Sequence, residues 1–220
     1  MSIGPDAPLD QLEPYIRSRL HPIETYDAAA MQARTGDYEI DPALMQTPHA
    51  PLKPAAVLAA LVTRPEGLSV LLTRRSDTLA RHSGQVAFPG GRAEPGEQPW
   101  ETALREAEEE IGLDPSLVRL VGIGDLYATG TGYLITPVVG FVEPGFVLKP
   151  HPGEVAEVFE TPFAFLMNPD NHERRVWHDA SGLERRYYAM PHEGPLIWGV
   201  TAGMVRRLYE RLFSQSPGPE

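Results

Sequence analysis

Apolar residues fall into short runs separated by Pro, Gly and polar clusters. Ala55 to Thr63 (AAVLAALVT) and Leu68 to Arg74 (LSVLLTR) flank Arg64-Pro65-Glu66-Gly67. Runs of that length bounded by turn residues predict buried strands joined as a β-hairpin. Upstream, Leu9 to Leu20 has the spacing of an amphipathic helix, and Pro42, Pro48, Pro51 and Pro54 then predict irregular chain. Downstream, the pattern predicts a polar loop from Ser76 to Gly84, a short strand from Gln85 to Phe88, a Pro-Gly-Gly turn, and a helix from Pro99 to Ile111 closed by Gly112. Strands follow at Leu117 to Leu126, Leu134 to Glu143 and Val155 to Thr161. A hairpin across Asp179-Ala180-Ser181-Gly182 and a last amphipathic helix from Thr201 to Phe213 complete the set. Strands interleaved with a few helices argue for an α/β or α+β layered domain on a mixed sheet. Three parts are expected: an N-terminal extension over 1–50, a globular domain over 51–214, and a disordered tail over 215–220.

Composition narrows the chemistry. The 220 residues are 42% hydrophobic and 22% charged, an ordinary globular mix. A net charge of −11 excludes a broad basic field for nucleic acid or an anionic membrane, and an anionic substrate would need a cation or clustered arginines to approach. There is no Cys, so any metal must be held by carboxylate, imidazole or backbone oxygen. The N-terminus lacks a basic start followed by an apolar run, and no apolar stretch is long enough for a membrane helix, so a soluble cytoplasmic protein is expected.

The densest chemical signal lies in the helix from Pro99. Trp100, Ala103, Leu104, Ala107 and Ile111 form one apolar stripe, the face that docks on a sheet. Glu106, Glu109 and Glu110, at i, i+3 and i+4, share an adjacent face, whereas Glu101 and Glu108 point elsewhere. Arg105 relieves only part of their repulsion, so a hard divalent cation is the economical explanation. Read as a run, these glutamates would be a solvated face, but no Lys is interleaved, and Phe88-Pro89-Gly90-Gly91 just before them can bring backbone carbonyls to the same cation.

Here the sequence resembles the Nudix hydrolases. Their box is met by Gly91, Glu97, Arg105-Glu106, Ala107, Glu109-Glu110, Gly112 and Leu113. The resemblance implies an α/β/α sandwich with a mixed sheet and a catalytic loop-helix-loop that uses Mg²⁺ or Mn²⁺ to hydrolyse a nucleoside diphosphate linked to another moiety. By that analogy Glu106 and Glu110 are metal ligands, Glu109 is a ligand or assists the base, the Gly90 carbonyl is a further ligand, Arg105 orients a glutamate, and Glu97 is a structural salt-bridge partner.

A second stretch narrows the substrate. Leu71-Leu72-Thr73-Arg74-Arg75-Ser76 with Leu79, His82, Gly84, Val86 and Phe88 to Gly91 is similar to the segment preceding the box in the coenzyme A diphosphatase branch. Thr131-Gly132-Tyr133, Thr136 to Val139, Glu154-Val155 and Trp198 to Gly203 are similar to the same branch. Ala80 departs from it, standing where an Arg is expected, with Arg81 beside it. A substrate carrying a pyrophosphate and a 3′-phosphate needs cationic donors beyond the metal, and Arg74, Arg75, Arg81 and His82 are the candidates. Arg74 and Arg75 alternate along a strand, so only one can face the site. Trp198 and Phe213 are expected in the core, although an indole near a cleft can stack on adenine. Glu154 and Glu157 are candidates for a late ligand or base. The expected reaction is hydrolysis of CoA or a derivative, with ADP-ribose, a dinucleotide or a damaged nucleoside triphosphate as alternatives and a non-catalytic nucleotide-binding module as the remote one. A homodimer is left open.

Overall fold

The computed structural model describes residues 3–27, 35–42, 44, 51–77, 84–178 and 182–214. In chain order the elements are helix α1 (Leu9–Arg19) and strands β1 (Thr35–Gly36), β2 (Lys53–Arg64), β3 (Gly67–Arg75), β4 (Val86–Ala87) and β5 (Gly90–Arg92). Helix α2 (Pro99–Ile111) follows, then β6 (Val118–Ile123), β7 (Tyr127–Ala128), β8 (Tyr133–Val142), β9 (Val155–Pro162) and the one-turn helix α3 (Phe163–Leu166). The chain ends with β10 (Glu173–His178), β11 (Glu184–Met190), β12 (Ile197–Trp198) and α4 (Val200–Phe213).

The main sheet is mixed. β2 runs parallel to β8 and antiparallel to β3, and β3 is flanked by antiparallel β9. Strand β2 shows how the sequence makes a layered sandwich. Val57, Ala59 and Leu61 enter one core with Leu12 and Ile16 of α1 and Val205, Leu208 and Leu212 of α4. Ala56, Leu58, Ala60 and Val62 enter a second core with Ala103, Ala107 and Ile111 of α2. A strand covered on both faces must be apolar at every position, which is why it reads as a continuous run. The α/β/α architecture expected from the sequence is the one observed. Glu173 to His178 and Glu184 to Met190 pair antiparallel, so the predicted hairpin around 179–182 is present, although residues 179–181 lie outside the described set.

Three expectations are corrected. Pro54 lies in β2, not in irregular chain: it sits opposite Leu134 near the strand's start, where the missing N–H is tolerated, and its carbonyl still accepts from Ala93 at 3.1 Å. The Pro-Gly-Gly segment is not a simple turn, because Gly90–Arg92 pairs with Ala55–Val57. β2 and β3 pair only near their hairpin; farther out β2 takes β5 and β3 takes β4, so the 86–92 segment fills the gap between diverging strands. Trp198 is not core. It is 37% exposed on β12, because its neighbour Ile197 takes the buried position of this two-residue strand.

Candidate active site

Helix α2 starts with a reciprocal cap: the Glu101 carboxylate accepts the Gln98 N–H at 2.8 Å and the Gln98 side chain accepts the Glu101 N–H. Pro99 and Gly112 mark the ends as the sequence predicts, but the Gln98/Glu101 box, a Gln followed three residues later by Glu, was also legible and was missed. Gly112, in the left-handed region at φ +68°, closes the helix and sends its N–H to Glu108. Backbone bonds from Lys149 to Ile111 and from His151 to Glu110, both 2.8 Å, then fold the 149–154 segment over the helix end.

With Ala103, Ala107 and Ile111 buried on β2, the next face of α2 points toward the Gly90–Gly91 segment. Glu110 is only 4% exposed. Its Oε2 accepts the Gly90 N–H at 3.1 Å, and Arg75 Nη1 stands 3.6 Å from Oε1. Burial raises its pKa to about 7, with the negative charges of Glu106 and Glu154 adding to the rise against Gly90 and Arg75. Glu106, largely buried, is raised as well, first by desolvation. Glu109 differs: its side chain is 61% exposed and held by Arg105 at 3.0 Å. Of the three carboxylates expected on one face, Glu106 and Glu110 are brought together and Glu109 stands outside them.

Arg105 is the organiser. It donates to Glu97 Oε1 at 2.7 Å and Oε2 at 3.1 Å, to Glu106 at 2.8 Å, to Glu109 at 3.0 Å and to the Arg92 carbonyl at 3.1 Å. Hydrogen bonding to Arg105, supported by the Glu94 N–H and the Thr102 hydroxyl, lowers the Glu97 pKa to about 2. Glu97 thus anchors Arg105 and Arg105 aims Glu106.

Strand β3 separates the two arginines. A register shift against β9 falls between Arg74 and Arg75. Arg74 pairs with Asp77 at 3.0 Å and Glu157 at 3.5 Å, whereas Arg75 reaches Glu110 and keeps a buried Nε without a hydrogen-bond partner. Glu157 is thereby engaged with Arg74. Glu154, half exposed, lies 3.9 Å from His151 Nδ1, and its charge is felt by both Glu106 and Glu110. His151 was not singled out from the sequence, and no spacing rule would have found it. Arg81 and His82, with Ala80, lie outside the described residues.

The donor set suits a hard divalent cation. The almost fully buried Glu110 has one backbone N–H at 3.1 Å and a guanidinium at 3.6 Å, and Glu106 has Arg105 at 2.8 Å, an arginine it shares with Glu97 and Glu109, so the negative charge of the pair exceeds what protein groups answer. Gly91 lets the Glu106 carboxylate lie directly against the backbone, since a Cβ there would overlap it. Among the described residues no three acidic or imidazole side chains already close on one point. A Mg²⁺ site built on one or two carboxylates takes its remaining ligands from water and substrate phosphates.

A NUDIX domain family model matches residues 52–197. The chain is 42% identical over 161 residues to an uncharacterized Nudix hydrolase NudL of Yersinia enterocolitica, covering 72% of this chain and 80% of that protein. It is 41% identical over 162 residues to the NudL of Photorhabdus laumondii, covering 72% and 84%. Among solved structures, the Mycobacterium smegmatis Nudix hydrolase RenU aligns with a TM-score of 0.42 at 27% identity, over 50% of this chain and 70% of that one. The NUDIX domain of Shewanella oneidensis NrtR, solved with ADP ribose, aligns with a TM-score of 0.39 at 18% identity, over 64% and 81%.

Proposed function

This chain belongs to the Nudix hydrolase family, and from that premise we propose that it cleaves the pyrophosphate of coenzyme A, or of a CoA derivative, to 3′,5′-ADP and 4′-phosphopantetheine or its acyl form. The coarser statement, a pyrophosphohydrolase acting on a nucleoside diphosphate derivative, follows from the family. The finer one is carried by one observation: the segment 71–91, similar to that of CoA diphosphatases, presents Arg75 beside Glu110 with no carboxylate closer than 3.6 Å, while Arg74 is neutralised by Asp77 and Glu157. Arg75 is therefore the better placed of the pair to meet a phosphate.

In this reading Glu106 and Glu110 hold Mg²⁺ or Mn²⁺, with the Gly90 carbonyl as a further donor. The bound cation supplies charge neutralisation at the phosphate oxygens and lowers the pKa of water. Arg105 keeps Glu106 in its ligand orientation, and Glu97 keeps Arg105 in place. Arg75 steadies the substrate pyrophosphate. Glu154, at the rim and close enough for both buried carboxylates to feel its charge, is the group to accept the proton of the attacking water; Glu109 assists from the exposed side. Water is the nucleophile, and the bridging P–O bond is the one that breaks.

Ala80, where the branch carries Arg, favours a second reading in which the same chemistry acts on ADP-ribose, a dinucleotide or a damaged nucleoside triphosphate. A panel of CoA, 3′-dephospho-CoA, ADP-ribose, NADH, diadenosine polyphosphates and 8-oxo-dGTP, assayed with Mg²⁺ and Mn²⁺ and read by product mass, separates the two. CoA is expected to give the highest kcat/KM; ADP-ribose well above CoA would select the second reading.

A further inference from the structure

Two arginines stand beside the two buried carboxylates, and they are held in opposite ways. Arg105, beside Glu106, gives five hydrogen bonds between 2.7 and 3.1 Å, to Glu97, Glu106, Glu109 and the Arg92 carbonyl. It cannot leave Glu106 without giving up this set. Arg75, beside Glu110, gives no side-chain hydrogen bond among the described residues. Its Nη1 lies 3.6 Å from Glu110 Oε1, beyond the length of a charge-assisted hydrogen bond, and Glu110 is its one ion-pair partner among those residues. Its backbone is fixed all the same: the N–H donates to the Gln85 carbonyl at 2.9 Å and the carbonyl accepts from Gly84 at 3.2 Å. A pinned strand residue thus carries a charge that no hydrogen bond holds in place.

Glu110 depends on that loose charge. Its carboxylate is buried, Oε2 accepts the Gly90 N–H at 3.1 Å, and Oε1 has only the Arg75 guanidinium beside it among the described residues. With the carboxylate almost out of water, the attraction is weakly screened. The same proximity works against a cation. A divalent ion that takes the Glu110 charge meets a positive group already standing there, so either its affinity falls or Arg75 moves off. A phosphate gives Arg75 somewhere to go, because the guanidinium fork matches two phosphate oxygens.

We infer that Arg75 is an exchangeable counter-ion: it competes with the cation for Glu110 and is drawn off by the substrate phosphate, so that phosphate binding raises the cation affinity of the site. The inference rests on the proposed reading, in which Glu110 holds the cation and Arg75 meets the pyrophosphate, and it adds the coupling between these two events. By linkage the coupling is reciprocal, so the cation tightens the substrate by the same factor. Arg105 has no part in the exchange, because its hydrogen bonds keep it on Glu106.

Mn²⁺ titration followed by electron paramagnetic resonance, without nucleotide, reads the competition apart from turnover. In Arg75→Gln the Mn²⁺ dissociation constant should fall about 5-fold or more, the lower end of the range usual for coupled sites. Arg75→Lys, which keeps the charge, should return it toward the unaltered value. Arg74→Gln should leave it within about 2-fold, since Arg74 pairs with Asp77 and Glu157 and not with Glu110. Arg75→Met serves as a second neutral variant, and the comparison is made on whichever keeps the circular dichroism of the unaltered protein. The exchange itself is read with the best substrate of the panel. Its KM should rise about 5-fold or more in Arg75→Gln. The Mn²⁺ concentration for half-maximal turnover at saturating substrate, relative to the dissociation constant without nucleotide, should drop further in the unaltered protein than in Arg75→Gln. Unchanged or weaker Mn²⁺ binding in the folded neutral variant overturns the inference and leaves the CoA reading standing, as does an equal drop in the two proteins. Tighter Mn²⁺ with an unchanged KM overturns the exchange and, with it, the assignment of Arg75 to the pyrophosphate. If ADP-ribose proves the best substrate, the CoA reading falls, and the same tightening and KM rise on ADP-ribose still uphold the exchange.

Discussion

Helices α2 and α4 lie on opposite faces of one sheet, are nearly equal in length, and bury comparable apolar stripes. They differ in what happens to their charges. α4 carries three arginines and one glutamate. Arg206 and Arg207 pair with Glu210, Arg207 also lies 3.6 Å from Glu39, and Arg211 pairs with Asp125 and donates to the Arg19 carbonyl. Its excess charge is consumed by neighbours, and what remains is a packing element. α2 carries five glutamates against one arginine. Arg105 is fully used by Glu97, Glu106 and Glu109, which leaves Glu110 buried with one N–H and an arginine at 3.6 Å. Two helices with the same hydrophobic logic thus reveal different roles through the charge that the fold leaves unanswered.

The contrast can be broken first at Glu110. Glu110→Gln keeps the shape and the Gly90 contact but removes the charge, and kcat should fall on the order of 10³-fold, since a lost ligand forfeits several kcal/mol of transition-state stabilisation. Circular dichroism should be unchanged; a loss of fold instead would make Glu110 a structural group. Second comes the choice between the late carboxylates. Glu154→Gln should reduce kcat about 10²-fold, as removal of a general base does, while Glu157→Gln, whose partner is Arg74, should change it by less than about 3-fold. Equal losses would remove the distinction drawn between the two carboxylates.

On the other face the expected effects move from activity to stability. Leu212→Ala, at a fully buried position of α4, should cost about 2–4 kcal/mol in urea unfolding and leave kcat unaltered below the melting range. A large loss of kcat at full folding would erase the division between the helices.

A smaller effect concerns pH. Glu97 has a folded pKa near 2, below its ordinary value of 4.5, so its contribution to stability is present above about pH 4.5 and is lost as pH falls toward 2. Glu97→Gln should therefore lower the Tm at neutral pH and flatten the acid limb of the Tm–pH curve; an acid limb parallel to that of the unaltered protein would count against the Glu97–Arg105 tie. The smallest effect is expected at Glu108, exposed and turned away from Glu106 and Glu110: Glu108→Gln should alter kcat by less than about 2-fold.

Much of this was legible in the sequence, because the signals were local. The α2 boundaries follow from Pro99 and Gly112, and the β2–β3 hairpin follows from two apolar runs around Pro65-Glu66. The three-glutamate face was read from helical spacing alone, but spacing cannot say which carboxylate is buried. That was settled by the close approach of the Gly90–Gly91 segment and by Arg105 drawing Glu109 outward. Likewise, strand alternation said that only one of Arg74 and Arg75 can face the site, and only the contacts tell them apart: Arg75 lies 3.6 Å from Glu110, whereas Arg74 pairs with Asp77 and Glu157. Pro54 and the Pro-Gly-Gly segment were misread because diverging strands accept a short insert that no local rule describes. Trp198 looked like core because β12 is too short to show a period.

The central claim is that Glu106 and Glu110 carry the cation on which hydrolysis depends. Mn²⁺ binding measured by electron paramagnetic resonance, alongside hydrolysis of the best substrate on the same samples, tests it most directly. Bound Mn²⁺ and turnover should fall together in Glu106→Gln and Glu110→Gln, persist together in Glu108→Gln, and turnover should vanish in excess EDTA. Unaltered Mn²⁺ affinity in Glu110→Gln, or full turnover in EDTA, would contradict the account.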